Sequence, residues 1–192
     1  MKYKIIFLLF TIISLASCDP IFFDRRPGQL LSSIPDKFVG EYDVYDHKLK
    51  NGKDTVEHND SIYTISKTWV NFHDRGTPLL NLNDTFTVSE YKGYYFISLR
   101  RAPGYWMCSI LQETNNGFIG CALLLNSESL HATKDKDAIN ELKKYFPHAH
   151  LIRIKDSDGS EEFFYTKMNE DQVIAYFKDE IKKPEYLEFV KR

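Results

Sequence analysis

The sequence predicts an α+β fold, mainly antiparallel β: a meander forming a barrel or strongly curved sheet, with two helices in its C-terminal half. Three observations carry this. The 192 residues include 14 Phe and 12 Tyr, and with many Ile, Val and Thr they suit a pleated, half-buried surface. Three successive segments pair as hairpins with their apolar residues on one side. Beyond residue 130, two stretches change to a helical period.

At the start of the chain, Lys2 and Lys4 give a basic start and Ile5 to Ile13 follow, within an apolar run from Tyr3 to Ala16. That run is shorter than the roughly 18–20 residues a spanning helix needs. It ends in Leu15-Ala16-Ser17-Cys18. The small residues suit a peptidase cleft, and Cys18 offers a nucleophilic sulfur. These four residues resemble the lipobox of bacterial lipoproteins. The resemblance implies a signal peptide removed after residue 17, a diacylglyceryl group on Cys18 and an acyl chain such as palmitate on the new amino terminus. It also implies a protein of the bacterial cell envelope, held to a membrane through the lipid on Cys18. Two or more acyl chains, at roughly 0.8 kcal/mol per buried methylene, anchor a protein stably. Asp19 resembles a retention signal used by one bacterial group, but that rule does not transfer between phyla, so the leaflet stays open.

Removing 17 of the 192 residues leaves 175, enough for one domain with its own core. Loss of Lys2 and Lys4 lowers the basic count from 25 to 23 against 27 acidic residues, a net charge of −4. That balance speaks against nucleic acid as a partner. Residues 18–35, broken by Pro20, Pro27, Gly28 and Pro35, read as a tether in which Arg25-Arg26 lies near acidic headgroups. Residues 36–192 read as a single β-rich domain.

Within it, Phe38 to Tyr45 alternates as a strand, and the polar stretch from His47 to Asp60 reads as a long loop. A turn at Lys67-Thr68 sets Ile65 against Val70 and Tyr63 against Phe72. Arg75 to Asp84 reads as loop. A turn at Lys92-Gly93 sets Phe86 against Leu99 and Val88 against Ile97. A third hairpin, around Asn115-Asn116-Gly117, places Trp106, Cys108 and Ile110 on one face with Ile119, Cys121, Leu123 and Leu125. Together these predict a meander with one dry face. Cys108 and Cys121 share that face, either as two small core residues or as a disulfide pair. Ala138, Ile139, Leu142, Tyr145 and Phe146 share one face of a helix over about 135–146, stopped by Pro147. Asp156-Ser157-Asp158-Gly159 marks a hairpin turn between His150–Lys155 and Glu161–Lys167. Asn169 with Gln172 three residues on forms a capping box for a helix over about 170–182, ending near Pro184.

No catalytic residue, cofactor site or metal site is legible. There is no Gly-x-Ser-x-Gly elbow, no phosphate-cradling glycine loop and no His-Glu-x-x-His. His148-Ala149-His150 lacks a third ligand, the Asp156 turn lacks the spacing of a calcium loop, and His73-Asp74-Arg75-Gly76 reads as a charged turn. Asp54-Thr55-Val56 and Asp60-Ser61-Ile62 resemble the O-glycosylation triplet of some exported bacterial proteins.

Phe38-Val39-Gly40-Glu41-Tyr42 resembles the Gly-x-aromatic opening strand of lipocalin and fatty-acid-binding barrels. The resemblance implies that Tyr42 closes one end of a barrel. Tyr stands there where Trp is more usual, and the helical insert before the last hairpin departs from those families. Tyr42, Tyr95 and Trp106 are the candidate pocket or core aromatics. The expected function is a lipid-anchored, non-enzymatic binding module for a small hydrophobic ligand or an envelope protein. The alternatives are a subunit of an envelope assembly and an envelope hydrolase.

Overall fold

The computed structural model describes residues 19–50, 52–72, 79–102, 104–125, 136–156, 159–183 and 186–192. Cys18 and the residues before it lie outside these ranges, as do His73, Asp74 and Arg75. The described strands are β1 (Asp19–Phe23), β2 (Gln29–Leu30), β3 (Gly40–Lys50), β4 (Lys53–Ile65), β5 (Trp69–Phe72), β6 (Leu80–Asn81) and β7 (Thr87–Tyr91). They continue as β8 (Tyr94–Ala102), β9 (Tyr105–Thr114), β10 (Gly117–Ala122), β11 (Leu124–Leu125), β12 (His150–Asp156), β13 (Gly159–Thr166) and β14 (Tyr186–Lys191). The helices are α1 (Lys136–Lys143) and α2 (Glu170–Glu180).

All of these strands belong to one mostly antiparallel sheet, and β9 is its branch point. One edge of β9 pairs with β8, which leads on through β7 to β2. The other edge is shared. Residues Ser109 to Thr114 pair with β10, and Trp106 and Met107 pair with β1. From β10 the sheet runs through β14, β3, β4 and β5 to β6; from β1 it runs through β13 to β12. It then curls back on itself. Leu82 bridges Phe86, Leu31 N–H donates to the Val88 carbonyl at 2.9 Å, and Ile34 N–H donates to the Lys67 carbonyl at 2.8 Å. The result is a half-barrel with two helices from the C-terminal half, the predicted fold class.

The three predicted hairpins form, the first two in the predicted register and the third with the predicted residues of its two strands on a shared face. Tyr63 opposes Phe72, Val88 opposes Ile97, and Cys121 opposes Ile110. The expectation of a single dry face does not hold. Alternate residues of β8, β9 and β10 enter two cores: Phe96, Cys108, Ile110 and Cys121 face one, and Tyr95, Leu99, Leu111 and Phe118 face the other. The face carrying Phe96, Cys108, Ile110 and Cys121 is dry because the helices cover it. α2 buries Val173, Ile174, Tyr176 and Phe177 there, and Leu142 of α1 and the following Phe146 complete the layer. Asn169 caps α2 as predicted, its side-chain oxygen accepting from Gln172 N–H at 3.2 Å.

Three segments differ from expectation. Residues 19–35 are not a tether. Ile21 and Phe23 are wholly buried and Phe22 nearly so, because β1 is an interior strand with β9 on one side and, in parallel, β13 on the other. The polar stretch from His47 to Asp60 is not a loop. It completes β3 and β4, an extended two-stranded ribbon closed at Gly52, which takes φ +72°. Residues 186–191, to which the sequence assigned no element, form β14, antiparallel to both β10 and β3.

The chain after β1 is also tied down. Asp24 accepts from Met168 N–H at 2.7 Å, and Glu170 accepts from the Arg25 guanidinium at 2.7 Å and Gly28 N–H at 3.0 Å. Burial alone raises the Glu170 pKa. The Arg25 and Gly28 donors and its own N–H at the start of α2 outweigh it and hold the carboxyl below its ordinary value. A carboxylate depressed on folding stabilises the native state fully above its unfolded pKa and loses that contribution as pH falls through the folded value. Glu170→Gln should therefore flatten the acid limb of a melting-temperature profile below about pH 5, and leave its slope above that unchanged. The effect at neutral pH should be about 1 kcal/mol or less, since Arg25 is exposed. Superimposable acid limbs for the two proteins would remove this tie from the account.

Candidate functional site: an apolar cavity in the half-barrel

Inward-facing side chains come from nearly every strand of the curl: Tyr63 from β4, Phe72 from β5, Val88 from β7, Tyr95 from β8, Leu111 from β9, Phe118 from β10 and Phe189 from β14. They leave a cavity of about 90 Å³. Ile34 and Phe38, from the segment before β3, also line it. Ile65, Val70, Ile97 and Phe189 in its wall are only half-buried.

Phe118 organises this core. Its ring stacks on Phe189 with centroids 4.4 Å apart and 14° between planes. Phe38 and Tyr42 meet it edge-on at 5.2 and 5.1 Å. These are favoured aromatic geometries. Lys37 sits above Tyr95, its ammonium 4.6 Å from the ring centroid, and pairs with Glu113.

Of the three candidate aromatics, Tyr95 lines the cavity. Tyr42 is wholly buried in the same core but is not part of the wall, and burial pushes its phenol pKa up. Trp106 belongs to neither core. It is half-buried at the end of β9, with the Arg26 and Arg100 guanidinium carbons 5.0 and 5.6 Å from its ring centroid. Its predicted grouping with Cys108 and Ile110 in one core fails: the indole packs between the two guanidinium groups instead, although Phe23 on the same rung is in the helix-covered core.

The remaining candidates do not gather into chemistry. Cys108 and Cys121 are buried thiols not joined in a disulfide, out of register with each other. Burial pushes the Cys108 thiol up to about 12, only partly offset by the Ser98 hydroxyl at 3.4 Å, so it stays protonated at neutral pH. His148 and His150 are exposed, with His150 Nδ1 3.0 Å from the His148 carbonyl. His47 stacks on Tyr186 and meets Glu188 at 3.0 Å; His58 lies 3.6 Å from Asp43. Among the described residues no three His, Cys, Asp or Glu side chains gather as a metal site. Thr55 and Ser61 lie within β4 rather than in a loop, and the Thr55 hydroxyl donates to the Lys48 carbonyl at 3.0 Å.

A cavity with this lining can do one thing: take up an apolar group. Its volume is below the roughly 150 Å³ of a dry engineered cavity that binds benzene, and far below the roughly 300–1,000 Å³ of pockets for drug-sized ligands. Sequence reasoning placed Tyr95 there and missed Phe118 and Phe189, whose approach depends on the unforeseen β14. No family model, no curated protein and no solved structure matches this chain.

Proposed function

We propose that this chain is a lipid-anchored lipoprotein of the bacterial cell envelope, and that its half-barrel is a non-enzymatic module binding a small hydrophobic group. The cavity carries the binding part of this reading: its walls are apolar or aromatic throughout, so what it favours is desolvation of a ligand of like character. The motif Leu15-Ala16-Ser17-Cys18 carries the anchoring part. A ligand fitting the volume present is the end of an alkyl chain or a compact apolar molecule.

Xenon titration followed by NMR is the direct test, because xenon suits a small dry cavity and makes no hydrogen bonds. Saturable shifts confined to residues such as Val88, Tyr95 and Phe118 are expected, and Ile97→Phe should abolish them by filling the wall. Shifts that do not saturate, or that fall elsewhere, would overturn the binding reading. The anchoring reading has its own test: Cys18→Ser should release the protein from membranes and stop trimming of the precursor.

A second reading, a subunit of an envelope assembly, is favoured by the β3–β4 ribbon. β14 leaves β3 at His47, and β5 accompanies β4 only from Tyr63 to Ile65. The ribbon between these limits exposes Leu49 and Val56, at 44% and 57%. A protein partner would cover those two side chains.

A further inference from the structure

Anchoring through Cys18 has a geometric consequence, because the chain leaves no slack. Asp19 already pairs with Leu125, and Ile21 N–H donates to the Leu123 carbonyl at 3.1 Å. Ile21 is wholly buried. Three residue steps separate it from Cys18, at most about 11 Å of extended chain. A flexible tether through residue 35 would instead allow an r.m.s. reach of roughly 20–25 Å. The headgroup layer is itself about 5–8 Å thick on each side of the hydrocarbon. Acyl chains on Cys18 that enter the hydrocarbon therefore draw the folded body against the headgroups.

One described surface near that point has matching chemistry. Phe23 at the end of β1 opposes Trp106, at most about 17 Å of chain from Cys18. Around the half-buried indole lie Arg26 and Arg100, with Arg25 and Arg101 beside them in sequence. Two carboxylates beside it already have partners: Glu170 with Arg25 and Gly28, and Asp24 with Met168 N–H. Indole rings settle at headgroup level, and guanidinium groups pair with phosphates.

We infer that the body rests directly on an anionic phospholipid bilayer, with Trp106, Arg26 and Arg100 in the headgroup layer. This rests on the proposed anchoring at Cys18. It makes the membrane a partner of the folded domain and not only of its lipid.

The test uses the full lipidated chain, purified from membranes and reconstituted into vesicles of phosphatidylethanolamine and phosphatidylglycerol. The sequence has two tryptophans, so Trp69→Phe leaves Trp106 as the only indole. Flotation reports anchoring, and quenching by brominated lipid reports the depth of Trp106. Quenching of about twofold or more is expected in floating protein, and Arg26→Glu with Arg100→Glu should relieve most of it without changing flotation. A folded, floating protein with unquenched Trp106 would overturn docking and leave anchoring intact. Equal quenching in the charge-reversed protein would overturn the role of the arginines. Protein that fails to float would overturn both the anchoring and the docking.

Discussion

Phe23→Ala should destabilise the protein by about 3–5 kcal/mol, although the residue lies only five positions beyond the expected lipid-bearing cysteine. Phe23 is wholly buried. It opposes Trp106 on one side and Thr166 on the other, and its ring meets Phe146 edge-on with centroids 5.8 Å apart. Truncation therefore opens a void between the sheet and the layer made by α1 and α2, where neighbouring strands on both sides limit collapse. A domain of this size is stable by roughly 5–15 kcal/mol, so roughly a fifth or more of the total is at stake. Urea unfolding of the full chain measures it: the midpoint should fall while the slope stays constant. Phe23→Leu should recover most of the loss, since it keeps much of the volume. A residue in a free tether would change stability by less than about 0.5 kcal/mol. A Phe23→Ala curve lying on that of the parent would restore the tether and remove β1 from the sheet.

The β1 result shows where the sequence could be read and where it could not. Hairpins announce themselves because both strands and the turn are adjacent in the chain. Tyr63 with Phe72 and Val88 with Ile97 were legible for that reason. β1 pairs with β9 and β13, and β14 pairs with β10 and β3. Those partners lie tens of residues away, so no adjacent turn and partner strand marked either segment. Ile21-Phe22-Phe23 still carried a signal, since a short continuous apolar run suits a strand buried on both faces. The prolines around it drew attention away. The β3–β4 ribbon was obscured for the opposite reason. Both of its faces are polar, so no two-residue period survives, and the turn dipeptide Asn51-Gly52 was the one available marker.

The candidate site was legible only in part, for a related physical reason. Tyr95 was singled out and lines the cavity, and the hairpin pairing correctly set the faces of Val88 and Ile97. Period and register say which side of a sheet a residue faces. They do not say whether that side is covered by the same sheet curling over or by helices. Cys108 and Leu111 lie three residues apart on β9, yet they belong to different cores for this reason. Trp106 shows the limit of register from the other direction: its parity matched the core, and Phe23 on the same rung is buried there, yet the indole itself stays half-buried between Arg26 and Arg100.

Phe118→Ala should cost a similar amount, about 3–5 kcal/mol, and should also change what the cavity admits. Phe118 is 2% exposed and packs against Phe38, Tyr42 and Phe189. The Phe189 stack depends on the close approach of β10 and β14. A Cβ built on the preceding Gly117, at φ +156°, would fall 1.9 Å from the Phe189 carbonyl oxygen, so the main chains are already pressed together and cannot move inward. Removal of the Phe118 ring should therefore leave most of its volume empty and add it to the existing cavity of about 90 Å³. A dry void near 150 Å³ is large enough for benzene. The melting temperature should drop by roughly 6–20 °C, at about 2–4 °C per kcal/mol for a domain of this length. Saturating benzene should return part of that loss through mass action on the native state alone, while leaving the parent protein almost unchanged because its cavity is too small. A destabilised Phe118→Ala protein that gains nothing from benzene would mean the half-barrel had collapsed onto the gap. Its interior would then be a soft core, not a preformed receptacle, and the binding reading would lose its physical basis.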